Sequence, residues 1–163
     1  MSKIDVDQTV RDLEAGKTPQ WIAEHLRLYR DSGGAEGHLW DASAAGISGS
    51  LPCLLLTTVG RRSGEKRTSP LVYGTAGEAY IVIGSKGGAD THPWWYLNLR
   101  ANPTVEVQVG RECFPARARV ATGKERAQIW EQMVQGFPFY GEYQKKTQRE
   151  IPVVVLEKQP TST

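Results

Sequence analysis

The sequence has few cysteines and histidines, and none of them stands in a spacing that marks a reactive centre. Cys53 and Cys113 are far apart and fit no metal or redox motif, so each is expected to pack as a small hydrophobic residue. His25, His38 and His92 have neither partner cysteines nor suitably spaced carboxylates, so no metal site is expected. No serine or cysteine lies in a nucleophile-elbow motif, which leaves acyl transfer and hydrolysis without support.

The chain also lacks a long apolar run and a strong net charge. No stretch approaches the roughly 18 apolar residues of a membrane span, and residues 2–15 are too polar for a signal peptide. A reducing cytoplasm is therefore the expected compartment. With 20 basic and 18 acidic residues the net charge is only +2, which does not suit general nucleic-acid binding. Peripheral contact of the N-terminal part with a membrane is an alternative that Glu14, Glu24 and Asp31 disfavour.

The length of 163 residues fits a single domain, but residues 1–50 differ in pattern from residues 51–160. Ile4–Ala15 is weakly helical. A second helix is expected after Thr18, whose hydroxyl is a suitable N-cap before a proline in the first turn, and Gly33-Gly34 is expected to end it. We interpret residues 1–50 as a helical arm that packs on, or covers, a β domain formed by residues 51–160.

Strand patterns dominate the second part of the chain. Leu54–Leu56 and Ala79–Ile83 are apolar on both faces and should be central strands. Pro70 predicts an edge or a bulge in the strand between them, because proline has no N–H for a strand ladder. Gly110-Arg111 predicts a two-residue hairpin turn of type II′.

Helix signals separate the last strands. Thr122–Glu125 has the pattern of a capping box, and Phe137-Pro138 should end the helix that it opens. Six strands are expected, with one helix between the third and fourth and further helices before the sixth. This order predicts a mainly β protein with α (α+β): a six-stranded split β-barrel with an N-terminal helical arm, whose closure removes exposed sheet edges.

A cluster of cations is the first candidate for a ligand site. Arg61, Arg62, Lys66 and Arg67 crowd into seven positions around a sharp turn. Arginine suits phosphate and carboxylate because its planar fork binds two oxygens at once, although a solvated hairpin tip would have the same composition. A further cation, Lys86, follows a central strand in the run Ser85-Lys86-Gly87-Gly88, where the glycines allow a ligand to approach the backbone.

Aromatic residues supply the other candidates. Trp95 and Asn98 share a helix face, which would suit a flat heterocycle, or would equally suit a core tryptophan beside an amide that acts as a cap or buried bridge. Tyr140 and Tyr143 are also three residues apart. A tyrosine with its ordinary pKa of about 10 stays protonated at neutral pH and can donate a hydrogen bond or a proton. The alternative is that both tyrosines only pack.

Four segments together resemble a known family. TTVGRRSG, GSKGG, HPWWYLNLRANP and REIPVVVLE are similar to segments of the deazaflavin (F420)-dependent nitroreductases, which have a split β-barrel fold. The resemblance covers roughly Leu51–Glu157. It implies that the phosphate and oligoglutamate tail of coenzyme F420 lie against Arg61, Arg62, Arg67 and Lys86. It also implies that the deazaflavin ring lies beside Pro70, Ser85, Trp95 and Asn98, with room left by Gly87 and Gly88.

The resemblance also implies a reaction. Reduced coenzyme F420 would transfer a hydride to a small apolar or aromatic acceptor: a quinone, a nitroaromatic compound, or an enone or lactone. Tyr140 would hydrogen-bond the acceptor oxygen that gains charge, with Tyr143 and Ser85 as further catalytic candidates. Phe137 stands where family members that activate nitroimidazole drugs carry a tyrosine, so efficient nitroimidazole activation is not expected.

Two alternatives use the same barrel. One is an oxidoreductase that binds FMN, whose phosphate also needs cations; four cations at the turn plus Lys86 favour a polyanionic tail instead. The other is a non-enzymatic carrier of the coenzyme or of a lipid-like ligand. Split barrels often pair, so a homodimer is also expected.

Overall fold

The computed structural model describes residues 18–41 and 49–160, together with Gln8 and Arg11. Most of the predicted helix over Ile4–Ala15 lies outside the described residues, although Gln8 and Arg11 are both helical. Among the described residues, no helix is both long enough and apolar enough to cross a membrane.

Seven strands and four α-helices make up the described part of the chain. In chain order they are α1 (Gln20–Asp31), β1 (Leu39–Asp41), β2 (Ser50–Val59), β3 (Lys66–Ala76), β4 (Ala79–Ile83), α2 (Trp94–Ala101), β5 (Thr104–Val109), β6 (Glu112–Val120), α3 (Gly123–Gly136), α4 (Phe139–Lys145) and β7 (Val153–Lys158). A short 3₁₀ turn, Lys86–Gly88, follows β4.

The sheet closes into a six-stranded antiparallel barrel, as the sequence predicts. The strand order is β1-β2-β3-β4-β7-β6-β5, and β2 also pairs with β5. The position of α2 between β4 and β5, and of α3 and α4 before β7, also agrees with the prediction. The sequence did not predict β1, which pairs Leu39 with Pro52 and Asp41 with Ser50, because three residues are too few to show an alternating pattern.

The side chains on both faces of β2 are apolar because both faces are buried. Leu54 and Leu56 point into the barrel, where they are fully buried with Val105 and Val107 of β5. Since side chains alternate along a strand, Leu55 points outward. It is also buried, because α1 covers that face of the barrel and packs Tyr29 against it.

Hydrogen bonds fix α1 on the barrel. The buried Tyr29 hydroxyl donates to the Cys53 carbonyl at 3.0 Å and accepts the Gly110 N–H at 2.7 Å. The chain then turns away through Gly33 and Gly34, with φ of 64° and 90°. A side chain at Gly34 would collide with the Gly110 carbonyl, so glycine is required where the end of the helix meets the β5–β6 turn.

Three local predictions were wrong. The N-cap of α1 is Pro19, not Thr18. Thr122 is the N-cap of α3 but makes no side-chain capping bond; Glu125 pairs instead with Arg119, Nη2 to Oε2 at 2.8 Å, because two charge-assisted bonds outcompete one bond to a backbone N–H. Cys53 is buried as expected, whereas Cys113 is exposed.

Pro70 lies on an unpaired edge of β3, as predicted. In β3, residues Lys66–Val72 pair with β2, and only Tyr73–Ala76 pair with β4. In the described part of the chain, no strand therefore pairs with the other side of Lys66–Val72. The wall of the closed barrel therefore has a gap between β3 and β4 along this length.

Candidate functional site

A cleft of about 530 Å³ lies against the open edge of β3. Five parts of the fold form its walls: α1, the free length of β3, the loop after β4, the start of α2, and α4. Their residues in the cleft include Trp21, Ile22, Leu26, Lys66–Val72, Ser85–Gly87, Trp94, Trp95, Phe139, Tyr140 and Tyr143.

The cleft brings together most of the predicted site residues, but not all of them. Those that line it are Arg67, Pro70, Ser85, Lys86, Gly87, Trp95, Tyr140 and Tyr143. Four others do not line it: Arg61, Arg62, Gly88 and Asn98. Arg61 and Arg62 lie on the exposed turn between β2 and β3, beyond the cationic end of the cleft.

Asn98 is a buried bridge. Its side chain is only 3% exposed. Its Oδ1 accepts the backbone N–H of Arg61 at 3.1 Å and the Arg61 Nη1 at 3.2 Å, and its Nδ2 donates to the Thr58 hydroxyl at 3.2 Å. The amide therefore joins α2 to the turn that carries Arg61 and Arg62, and its hydrogen-bonding groups are directed away from the cleft.

The glycines of the loop after β4 have different surroundings. Gly87, with φ of 65°, lines the cleft. Gly88 is buried against α4, where a Cβ atom would stand 2.8 Å from the Tyr143 carbonyl oxygen. Gly87 thus leaves room for a ligand, whereas Gly88 leaves room for the helix that carries Tyr140 and Tyr143.

The cations near the cleft have mostly weak or exposed partners. Lys66 pairs with Glu106 at 2.8 Å, and Arg67 stands 3.9 Å from Glu65, both pairs being largely exposed. Lys86 Nζ donates to the Thr91 hydroxyl at 2.9 Å. Exposed ion pairs contribute little energy, so an incoming anion can displace them at small cost.

The tyrosines of α4 also line the cleft. Tyr140 is 3% exposed, and burial raises the pKa of its hydroxyl far above the usual range. Burial also raises the pKa of Tyr143. The Tyr140 ring packs on Phe139 with centroids 4.4 Å apart. Its hydroxyl makes no hydrogen bond to another described residue and can donate one to a bound molecule.

The N-terminal arm was expected to pack on or cover the β domain, and the structure shows which residues of α1 form the apolar wall of the cleft. Trp21, Ile22 and Leu26 line the cleft, and Trp21 stacks on Trp40 with centroids 5.2 Å apart. A helix was expected here, but only the fold shows that this face of the helix borders a cleft. Phe139 was missed for the same reason.

The residues present fit a flat coenzyme with several negative charges. Arg67 and Lys86 put cations at the cleft, and the exposed Arg61 and Arg62 continue the positive surface. Pro70, Ile83 and Trp95 supply an apolar interior of the kind that binds an aromatic ring. The open edge of β3 leaves the backbone accessible along the same wall.

Comparisons with known proteins agree with this chemistry. Residues 21–158 match the family described as F420H(2)-dependent quinone reductase. The chain is 37% identical over 151 residues to an F420H(2)-dependent quinone reductase of Mycobacterium tuberculosis, covering 91% of this chain and 97% of that protein. It is 38% identical over 112 residues to a putative F420H(2)-dependent quinone reductase of the same organism, covering 69% of this chain and 94% of that protein.

Solved structures give the same result. A structure titled F420-H2 dependent reductase (FDR-A) is 46% identical, with a TM-score of 0.61 over 65% of this chain and 94% of that one. A structure described as a domain-swapped dimer is 38% identical, with a TM-score of 0.63 over 84% of this chain and 97% of that one. The chain therefore belongs to the F420H(2)-dependent quinone reductase family, and coenzyme F420 is its cofactor.

Proposed function

We propose that this protein reduces a quinone with reduced coenzyme F420 in the cleft between the barrel and α1. One observation carries the proposal: Arg67, Lys86, Trp95 and Tyr140 line the same cleft. A cation pair, an aromatic ring and a buried hydroxyl donor are what an anionic flavin-like coenzyme and a carbonyl acceptor need together. When bound, the reduced coenzyme supplies the hydride.

The coenzyme's negative groups are assigned to the cationic end of the cleft. Arg67 and Lys86 would hold the phosphate, with Arg61 and Arg62 extending the positive surface along the tail. Guanidinium groups bind phosphate and carboxylate in two-pronged pairs. Asn98 would contribute indirectly, because its hydrogen bonds hold Arg61 and hence the whole turn in place.

The ring would be held by the apolar part of the cleft. Pro70, Ser85 and Trp95 are the contacts we assign to it, with Gly87 giving it access to the loop backbone. Gly88 supports this arrangement from behind, since its lack of a side chain lets α4 pack against the loop.

The acceptor is assigned to the wall made by α1 and α4. Trp21, Ile22 and Leu26 offer an apolar surface for a quinone ring and its substituents. Tyr140 faces the same space and would donate a hydrogen bond to the oxygen that gains negative charge. Like any tyrosine it is protonated at neutral pH, and burial raises its pKa further. Tyr143 and Ser85 lie beside it as further polar groups.

Quinones are the proposed acceptors because Trp21, Ile22 and Leu26 offer an apolar surface in the same cleft as these donors. Nitroaromatic compounds and enones or lactones share a flat shape and an oxygen that gains charge, so they belong to the same proposal. Phe137 packs against Phe139 and Tyr140 and does not line the cleft. A phenylalanine has no hydroxyl to offer a nitro group, so efficient nitroimidazole activation is not expected.

Steady-state oxidation of reduced coenzyme F420, with menadione as acceptor, tests the proposal. Enzyme-dependent appearance of the oxidised coenzyme, saturable in both reactants, is the expected result. If the coenzyme binds but no quinone accelerates its oxidation, the carrier function would replace the reductase. If it does not bind at all, the assigned site is wrong.

We further propose that residues 1–50 act as the cover of the site on the 51–160 barrel, and that the protein forms a homodimer. The solved relative described as a domain-swapped dimer supports the second point. Sedimentation velocity over a range of protein concentrations would reveal whether two chains associate.

A further inference from the structure

One arginine outside the cleft holds the loop that forms part of its wall. Arg149 lies between α4 and β7. Its Nε donates to the Ala89 carbonyl at 2.7 Å, its Nη2 to the Ser85 carbonyl at 2.9 Å, and its Nη1 to the Gly84 carbonyl at 3.2 Å. A single guanidinium thus spans the whole loop from the end of β4 to the residue after the 3₁₀ turn.

The held loop has an unusual backbone. Lys86, Gly87 and Gly88 have φ of 46°, 65° and 86°. Left-handed backbone is disfavoured for a residue with a side chain, and Lys86 is the non-glycine with positive φ among the described residues. A conformation of this kind persists only where its surroundings determine it. The three hydrogen bonds from Arg149 to carbonyl groups on both sides of Lys86 hold the loop in this conformation.

The segment that carries Arg149 is itself fixed. Gln144 Nε2 donates to the Arg149 carbonyl at 2.8 Å, and Gln144 Oε1 accepts the Ile151 N–H at 3.0 Å. The Thr147 hydroxyl donates to Asp90 at 2.8 Å. The arginine is therefore attached to α4 on one side and to the loop on the other, so it joins the tyrosine wall of the cleft to the Ser85–Gly87 wall.

We propose that Arg149 is a positioning residue for coenzyme binding: it sets the loop 84–89 so that Ser85, Lys86 and Gly87 face the cleft in a binding-competent arrangement. This inference rests on the proposed coenzyme site. Arg149 is absent from the cleft lining, so it acts through the loop and not by contact. A lysine cannot replace it, because an ammonium group lacks the flat fork that reaches three carbonyls at once.

The test compares Arg149→Lys with Arg126→Lys. Arg126 is a matched control because it is also partly buried and donates to a nearby carbonyl, that of Ile151, at 2.7 Å, but has no bond to the loop. Equilibrium titration with oxidised coenzyme F420 gives the dissociation constant of each variant. Thermal unfolding reports any general loss of stability, and backbone hydrogen exchange over residues 84–89 reports the loop in the absence of coenzyme.

Arg149→Lys is expected to raise the dissociation constant about tenfold or more and to speed exchange in residues 84–89. Arg126→Lys is expected to lower the melting temperature without either effect. An unchanged dissociation constant in folded Arg149→Lys would overturn the inference, as would an equal change in both variants. A wild-type protein that fails to bind the coenzyme would instead refute the proposed function.

Discussion

Asn98 on α2 and Arg61 on the β2–β3 turn are joined by two hydrogen bonds to one oxygen, at 3.1 Å from the backbone N–H and 3.2 Å from the guanidinium. The same amide donates to Thr58 inside the barrel. The helix that presents Trp95 and the turn that concentrates the cations are therefore parts of one rigid unit. This link gives Asn98 an effect on a site that it does not touch.

Replacing Asn98 with alanine should lower both stability and coenzyme affinity. The change leaves the buried Thr58 hydroxyl without its donor and the Arg61 N–H without its acceptor, at a cost of about 1–3 kcal/mol in the free energy of unfolding. Urea denaturation measures this cost. Asn102→Ala is the control, because Asn102 bonds the Thr104 N–H at the far end of α2; equal effects of both substitutions on the coenzyme dissociation constant would contradict the prediction.

Tyr140→Phe should slow quinone reduction without weakening coenzyme binding. Loss of a positioned donor to the oxygen that gains charge reduces the rate by about 10²-fold or more, while the ring that packs on Phe139 is retained. Pre-steady-state oxidation of bound reduced coenzyme by menadione isolates the chemical step. Tyr80→Phe, in a ring that stacks on Phe114 away from the cleft, should leave the rate intact; an undiminished rate in Tyr140→Phe would remove this hydroxyl from the mechanism.

The barrel was predictable because its signals are local or periodic. The apolar runs of β2 and β4 and the Gly110-Arg111 turn each indicate one element, and closure of the barrel was inferred from the number of expected strands. The unpaired edge at Pro70 was also predictable from the sequence, because proline has no N–H to donate to a neighbouring strand.

The relationships between distant segments could not be predicted in the same way. Asn98 was compatible with a ring contact or with a buried bridge until the fold placed Thr58 and Arg61 around it. Arg149 stands in the segment REIPVVVLE, which the resemblance singled out, but its role could not be predicted, because its three contacts with the loop are to carbonyl groups, which every residue has. The wall from α1 required knowing which face of the barrel the helix covers.

The positive surface should make coenzyme binding sensitive to salt. Arg67→Gln is expected to weaken binding and to reduce its dependence on salt concentration, since the interaction between exposed charges is screened over about 10 Å at 0.1 M ionic strength. Arg117→Gln is the matched control: Arg117 is an exposed cation on β6 outside the cleft lining. Titrations at low and high salt should separate the two variants. If the two variants show the same dependence of the dissociation constant on salt, the weakening arises from the overall charge of the protein and not from Arg67 at the cleft.

His92 should make the protein less stable at mildly acidic pH. Burial, together with the nearby Arg149 and Arg100, lowers the pKa of His92 below its ordinary value of 6.5. Arg149 Nη1 lies 3.2 Å from His92 Nδ1, which must be unprotonated to accept a hydrogen bond, and the ring packs on Tyr96 with centroids 4.7 Å apart. The folded state thus binds the proton less readily than the unfolded state does. The contribution of His92 to the free energy of unfolding is therefore fully present above pH 6.5, and it is lost as the pH falls through the pKa that His92 has in the folded state.

Denaturant titrations between about pH 8 and about pH 5 would measure this loss. His92→Asn keeps an acceptor for Arg149 but does not titrate, so its stability should change less over the same interval than that of the wild type. Glu125, whose pKa Arg119 lowers from 4.5, also loses its contribution as the pH falls, but in a lower range, so the two effects are separable. Parallel curves for wild type and His92→Asn would show that the acid sensitivity arises from another group.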